Sequence, residues 1–394
     1  MKKILLLMFV FSLFLLAACN SDENDINLFP DTIDLILERA EHETTYNVTG
    51  ITIALVDAKN DFTWAYGFGY ADTLQNELVT ADTMFPIGSI AKTFTAIAIM
   101  QLVEDGLIDL DEPIVTYLPQ FSVLPSRGGV GNYENITVRM LLNHTSGIQP
   151  DSSFWTLAGN PDGRDYLNNL LLDAISEQTM IFEEGTRVQY SNIGYNLLGM
   201  LVATVSGYDD FFEGFINYTN ERIFAPAGMN HSTFDITDEI LADMAKPYML
   251  IDMQARNILW VEGLPTGGMV STANDMARFI HTILGDIIAE DEQFLTHDSF
   301  IKMIDFDHLE IDSTSGITFG LGFIRTTNPA GFSTVGHGGA IPNYFSQMVI
   351  HLETGIGVFV SVNSAGGNPL AFELADEILQ SAVYEKTGEL NQDQ

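Results

Sequence analysis

FPIGSIAKTFTA, residues 85–96, places a serine at the mouth of an apolar helix and a lysine one turn further on. In Gly88-Ser89-Ile90-Ala91-Lys92 the two side chains are three residues apart, so they share a helix face and the amine can reach the hydroxyl. The serine also sits at the positive end of the helix dipole, where a developing anion is favoured. Spacing alone does not decide the matter, because Ser299-Phe300-Ile301-Lys302 repeats it. That second match follows His297-Asp298 and reads as an N-capped amphipathic helix with a solvated lysine, a structural use.

Upstream of this stretch, Ile51, Ile53 and Leu55 alternate, a turn follows at Lys59-Asn60-Asp61, and Phe62 to Tyr70 is rich in aromatics. The pattern predicts a β-hairpin. Before it, Ile33, Ile36, Leu37 and Ala40 recur at helical spacing in Asp31 to Glu43, with Asp31 as N-cap. Downstream the signals are mostly helical: Ile90 to Val103, Val138 to Asn143, Tyr166 to Ser176 and Ile193 to Val205. A helix from Ala273 to Leu284 then leads to strands at Gly320 to Arg325, Ser333 to Gly336, Gln347 to His351 and Gly357 to Asn363, and Pro369 to Tyr384 closes the chain as a helix. Strands at both ends with helices between them predict an α+β fold. One antiparallel sheet from both termini, about residues 31–88 and 266–385, packs with helices as an α/β sandwich and carries a mostly helical insertion, about 89–265.

Tyr190-Ser191-Asn192 offers a phenol and an amide on a turn, but Tyr-x-Asn also occurs at Tyr133, Tyr166 and Tyr218. The flank distinguishes it: Gly185 to Gly199 reads GTRVQYSNIGYNLLG. Together with residues 85–96, LVEDGLIDLDEPIVTYLP (Leu102 to Pro119), ITVRMLLNHTSGI (Ile136 to Ile148), TGGMVSTANDMARF (Thr266 to Phe279) and VGHGGAIPNYFSQMVIH (Val335 to His351), it closely resembles the β-lactamase-related serine hydrolases. These include class C β-lactamases, D-alanyl-D-alanine carboxypeptidases, D-aminopeptidases and class VIII carboxylesterases. The resemblance spans roughly residues 31 to 385 and implies a β-lactamase/transpeptidase-like fold.

It also implies the roles. Ser89 Oγ attacks a carbonyl to form an acyl-enzyme, Lys92 helps to remove its proton, and Tyr190 protonates the leaving group and activates the deacylating water. Asn192 orients Lys92 and the substrate amide, and the backbone N–H groups of Ser89 and Ala340 form the oxyanion hole. The family's third element is a Lys/His-x-Gly on the sheet edge. Lys386-Thr387-Gly388 matches it literally, but only six residues follow, too few for the strand architecture, so it reads as a helix end with Gly at C′ and a frayed tail, residues 386–394. His337-Gly338-Gly339 precedes an expected strand and is the better candidate, its glycines letting a substrate backbone approach the strand edge. His337 would meet a substrate carboxylate less well than the lysine of β-lactamases. His144, in the LLNHTSGI stretch, reads as structural.

The N-terminus reads as an address. Lys2-Lys3 precede an apolar run from Ile4 to Ala18 that is too short to span a bilayer comfortably, and Leu16-Ala17-Ala18-Cys19 resembles a bacterial lipobox. Residues 1–18 are therefore expected to be a lipoprotein signal peptide, Cys19 the lipidation site and residues 19–30 a polar tether. The chain has one cysteine, so no intrachain disulfide is available. Its 16 Lys plus Arg against 53 Asp plus Glu give a net charge of −37, which repels phosphate backbones and excludes nucleic acid as a partner. No zinc motif or phosphate loop is present, so neither metal nor cofactor is implied. The expectation is a monomer, lipid-anchored outside the cytoplasm, acting on a peptide, a β-lactam, a D-amino-acid amide or a short ester. The rival is a penicillin-binding or sensory relative that acylates slowly or only binds cell-wall peptides.

Overall fold

Gly50–Asp57 (β1) is buried along its whole length. Ile51, Ile53 and Leu55 pack to one side of it, and Ala54 and Val56 to the other. A strand buried on both faces belongs in the middle of a covered sheet. The computed structural model describes residues 28–388 apart from 151–154, 158–162, 251–252, 255–258, 262, 307–309, 313–316 and 329. In it, β1 is joined by β2 (Phe62–Asp72), β3 (Glu77–Leu78), β4 (Glu310–Asp312), β5 (Ile317–Phe319), β6 (Ile324–Thr327), β7 (Ser333–Ile341), β8 (Tyr344–His351) and β9 (Ile356–Val362). The nine strands lie in the order β4-β5-β6-β7-β8-β9-β1-β2-β3. The C-terminal strands thus meet the N-terminal hairpin at β9 and β1, where Ile51 faces Val362 in an antiparallel pair.

Helices cover both faces. On one side α1 (Pro30–Tyr46) contributes Ile36 and Ala40, and the closing helix, Gly367–Thr387, contributes Leu374 and Ile378. On the other lie α2 (Ala91–Glu104), α3 (Asn192–Val205) and α4 (Ala273–Ile288), in one core with Met348 and Phe359 of the sheet. The closing helix is α5. Twelve of the fourteen residues of α2 are buried, so this helix runs through the core rather than over it. The insertion leaves and returns through a two-residue ladder in which Phe85 pairs with Ser271 and Pro86 with Val270. That ladder brings the turn before α2 next to the segment just before α4.

Four features of the fold differ from expectation. Pro30 opens α1 and residue 29 is its N-cap position, leaving Asp31 in the first turn; proline at N1 is the stronger start signal. Phe29 is itself core, 5.3 Å from the Phe62 ring, so residues 29 and 30 belong to the domain and not to the expected tether. The expected strand Gly320 to Arg325 is broken, with β5 ending at Phe319 and β6 starting at Ile324. Gly322, at φ +82°, lies so close to α2 that a Cβ there would be 2.3 Å from that of Ala96.

The fourth correction concerns the tail. Gly388 does cap α5 in the left-handed conformation, its N–H donating to the Tyr384 carbonyl, but Lys386 is not frayed. Its Nζ donates to both carboxylate oxygens of Asp57 at 2.7 and 2.8 Å and to the Thr354 carbonyl at 2.8 Å. Asp57 is fully buried, and removing the partner of a buried charge typically costs about 3–5 kcal/mol. We expect Lys386→Met to lower the urea unfolding midpoint by a corresponding amount, and Lys386→Met combined with Asp57→Asn to recover much of it. An unchanged midpoint in Lys386→Met would refute this role.

Candidate active site

Gly88–Ile90 is a 3-10 turn that feeds directly into α2 and leaves Ser89 half-buried at its mouth. The fit around it is close. A Cβ on Gly88, at φ +55°, would lie 2.7 Å from the Ala340 nitrogen, and one on Gly339 would lie 1.9 Å from the Ile87 carbonyl oxygen. Only glycine allows β7 to press against this turn. The room at Gly339 is taken by the chain's own Ile87, not reserved for substrate, and Ser346 Oγ donates to the same carbonyl at 2.7 Å.

Lys92 has no solvent exposure. Its Nζ lies 3.2 Å from Ser89 Oγ, donates to the Thr266 carbonyl at 2.6 Å, and stands 4.8 Å from the centre of the Tyr190 ring and 5.6 Å from that of Tyr195. Burial raises the Tyr190 phenol well above its ordinary pKa, and the Ser89 hydroxyl offsets only part of the rise. The phenol is therefore neutral in the resting site. Ser89, Lys92 and Tyr190 are brought together from two segments about a hundred residues apart.

Asn192 is the first residue of α3, which Ser191 caps by accepting from the Gly194 N–H. Asn192, expected to orient Lys92, shares Thr266 with it as a partner. Its Oδ1 accepts from Thr266 Oγ1 at 2.9 Å, and it is the Thr266 carbonyl that receives Lys92. Thr266 was not singled out by the sequence reading, although it opens one of the quoted stretches.

His144 lies beneath Tyr190, ring centroids 4.4 Å apart, with Tyr195 and Phe319 also against it. Its Nδ1 accepts from the Ser191 N–H at 3.2 Å, which requires a bare Nδ1. Burial, then the positive charge of Lys92, holds this imidazole well below its usual pKa. It supports the Tyr190 turn and makes no contact with Ser89.

His337 lies inside β7 rather than before a strand. β6 pairs with β7 only over Ser333–Gly336, so from His337 onward the side of β7 away from β8 has no strand paired to it among the described residues and lies beside the Ser89 turn. The imidazole is buried, 6.2 Å from the Tyr190 ring. Its Nδ1 bonds the Gly338 carbonyl at 2.7 Å; a carbonyl can only accept, so Nδ1 carries the proton and Nε2 a lone pair. Burial, and then Lys92, lowers its pKa to about 3. The adjacent Gly338 faces the other side of the sheet, where a Cβ would lie 2.7 Å from the Phe372 ring of α5. Cys19 lies outside the described residues, and among those described no helix is long and apolar enough to cross a membrane.

A family model described as Beta-lactamase matches residues 38–383. The chain is 27% identical over 316 residues to "Penicillin-binding protein 4*" of Bacillus subtilis (strain 168), covering 74% of this chain and 63% of that protein. Across the first curated relatives it spans 56–63% of their length. Among solved structures, a D-amino acid amidase from Ochrobactrum anthropi SV3 superposes with TM-score 0.72 at 25% identity, covering 91% of this chain and 100% of that one. An octameric penicillin-binding protein homologue from Pyrococcus abyssi gives TM-score 0.69 at 27% identity, covering 92% and 78%. The sheet with its helical insertion is thus the β-lactamase/transpeptidase-like fold.

The second Ser-x-x-Lys is structural in its geometry: Ser299 sits in the first turn of the helix His297–Met303, capped by Thr296, and Lys302 is exposed. Ser89→Ala is expected to abolish covalent labelling by a serine-directed phosphonate, while Ser299→Ala leaves it intact; the reverse result would move the site. The imidazoles give a second expectation. His144 and His337 bind protons near pH 6.5 when unfolded but are held neutral when folded. The unfolded state therefore binds more protons between about pH 6.5 and 3, so stability falls as acid is added through that window. Denaturation midpoints against pH should show a shallower fall for His337→Asn than for the parent, and an identical slope would contradict the buried neutral state.

Proposed function

This chain belongs to the beta-lactamase family, and from that premise we propose that it is a serine hydrolase. It forms an acyl-enzyme on Ser89 and acts on D-amino-acid amides and short esters in preference to carboxylate-bearing β-lactams. The observation that carries the preference is the state of His337: a neutral imidazole whose one N–H is already committed to Gly338. Such a group offers a lone pair to a substrate N–H and nothing to a carboxylate. The earlier expectation that His337 receives the anion is replaced by this one. The D-amino acid amidase among the structural relatives supports the same substrate class.

In this reading Lys92, a cation at rest, reacts from the form that has lost one proton to solvent: Ser89 Oγ bonds to the substrate carbonyl carbon while its proton passes to that free amine. The N–H groups of Ser89 and Ala340 hold the oxyanion. Tyr190, neutral at rest, gives its proton to the departing nitrogen or oxygen, and as phenolate takes one from the water that attacks the acyl group, while Lys92 returns its proton to the departing Ser89 Oγ. Where the substrate carries a second amide, as a peptide does, Asn192 donates to the carbonyl of that amide. The relatives called penicillin-binding proteins favour one second reading, acylation without efficient turnover.

A panel of D-phenylalanine amide, p-nitrophenyl butyrate, nitrocefin and a D-Ala-D-Ala peptide tests the proposal on soluble protein starting after Cys19. The amide or the ester should exceed nitrocefin in kcat/KM by about tenfold or more, the scale of one lost charge contact. Among substrates that carry an N–H, His337→Asn should affect anionic and neutral ones alike. Nitrocefin as the best substrate would overturn the preference, and a product burst without turnover would favour the second reading. We also propose lipid attachment at Cys19, an extracytoplasmic location and a monomeric state. A palmitate analogue should label the full-length chain but not Cys19→Ala, and the particle mass in detergent should be that of one chain, in contrast to the octameric homologue.

A further inference from the structure

We propose that Thr266 is a positioning residue for the reaction: its hydroxyl fixes the orientation of the Asn192 amide, so that the amide N–H groups face the cleft. The inference rests on the hydrolase reading above and assigns a role to a residue outside the catalytic set.

Thr266 lies in the short helical turn Leu264–Gly267 and is almost fully buried. The turn is anchored to both neighbouring helices. Thr95 Oγ1 of α2 donates to the Pro265 carbonyl at 2.6 Å. Gly199 of α3 lies so close that a Cβ there would be 2.1 Å from the Pro265 ring. From this fixed position one residue serves two site groups, its carbonyl receiving Lys92 Nζ at 2.6 Å and its hydroxyl meeting Asn192 Oδ1 at 2.9 Å.

An asparagine amide has nearly the same shape in its two flipped orientations, so its hydrogen-bond partners decide which is populated. A buried hydroxyl proton needs an acceptor, and among the described residues the Thr266 hydroxyl has Asn192 Oδ1 as its acceptor. Donation from Thr266 pins Oδ1 inward and leaves Nδ2 outward as a donor for a substrate carbonyl. Without the hydroxyl the amide can flip and present its oxygen to that carbonyl, a repulsive contact. The Lys92 contact uses the backbone, so it survives any side-chain change, and the hydroxyl can be tested by itself.

The test compares two serine-directed phosphonates, one with a D-aminoacyl amide arm and one with a plain alkyl chain, on the parent, Thr266→Val, Thr266→Ser, Asn192→Ala and the Asn192→Ala/Thr266→Val double variant. The readout is the ratio of their inactivation rates, which requires no turnover. Thr266→Val should reduce the ratio about tenfold, the size of one misplaced hydrogen bond, with the alkyl phosphonate reacting at nearly the parental rate. Thr266→Ser should restore the ratio. The double variant should match Asn192→Ala, because the hydroxyl acts through that amide. Additive losses, a Thr266→Ser variant as impaired as Thr266→Val, or an equal fall with both phosphonates would overturn the positioning role while leaving the hydrolase reading intact. A parent protein labelled by neither phosphonate would overturn the hydrolase reading and this proposal with it.

Discussion

A lysine amine with no access to solvent, at the first turn of a helix buried at twelve of its fourteen residues, is the constraint around which the rest of the site is arranged. Taking such a group out of water costs several kcal/mol unless the protein supplies acceptors. Here they come from the Ser89 hydroxyl and the Thr266 carbonyl, with the π faces of Tyr190 and Tyr195 lying alongside. Lys92 also acts on its surroundings. Together with burial it keeps His144 and His337 neutral, so no second cation competes with it beneath the nucleophile. The two neutral rings then differ in use: His144 accepts from the backbone of the Tyr190 turn, whereas His337 donates to its own strand and leaves Nε2 as an acceptor.

The fold meets this constraint by closing a long insertion with a very short ladder. Phe85–Pro86 against Val270–Ser271 sets where the chain leaves for the helical region and where it returns. That places the Leu264–Gly267 turn over Lys92 and the Gly88–Ile90 turn against β7. The close approaches at Gly88, Gly199 and Gly339 leave no space for even a methyl group, so the relative position of nucleophile, amine and strand edge is fixed by backbone contact. Side chains such as Ser346, Thr95 and Thr266 then tie the same segments together.

Much of this was legible from local patterns. The three-residue spacing of Ser89 and Lys92 and the alternation in Ile51 to Leu55 need only a helix and a strand to be read correctly. The flank of Tyr190 separated it from three bland matches, and strands at both ends of the chain pointed to one shared sheet. What escaped depends on distant contacts. Thr266 acts on Lys92 through a carbonyl 174 residues away, and a backbone oxygen leaves no mark in sequence. Lys386 meets Asp57 across 329 residues, so a lysine at a helix end read as part of a frayed tail. The extent of β7 was missed because Gly-His-Gly-Gly has little strand propensity of its own; pairing with β8 along its length imposes the strand.

The protonation state of His337 joins the buried lysine, the strand edge and the substrate preference, and nitrogen-15 NMR of the imidazole side chains reads it directly. The His337 resonances should report a protonated Nδ1 and a bare Nε2, unchanged from pH 8 down to about 5, since burial and Lys92 lower its pKa to about 3. A resonance pair that titrates near the ordinary histidine value, or that shows both nitrogens protonated at neutral pH, would contradict it.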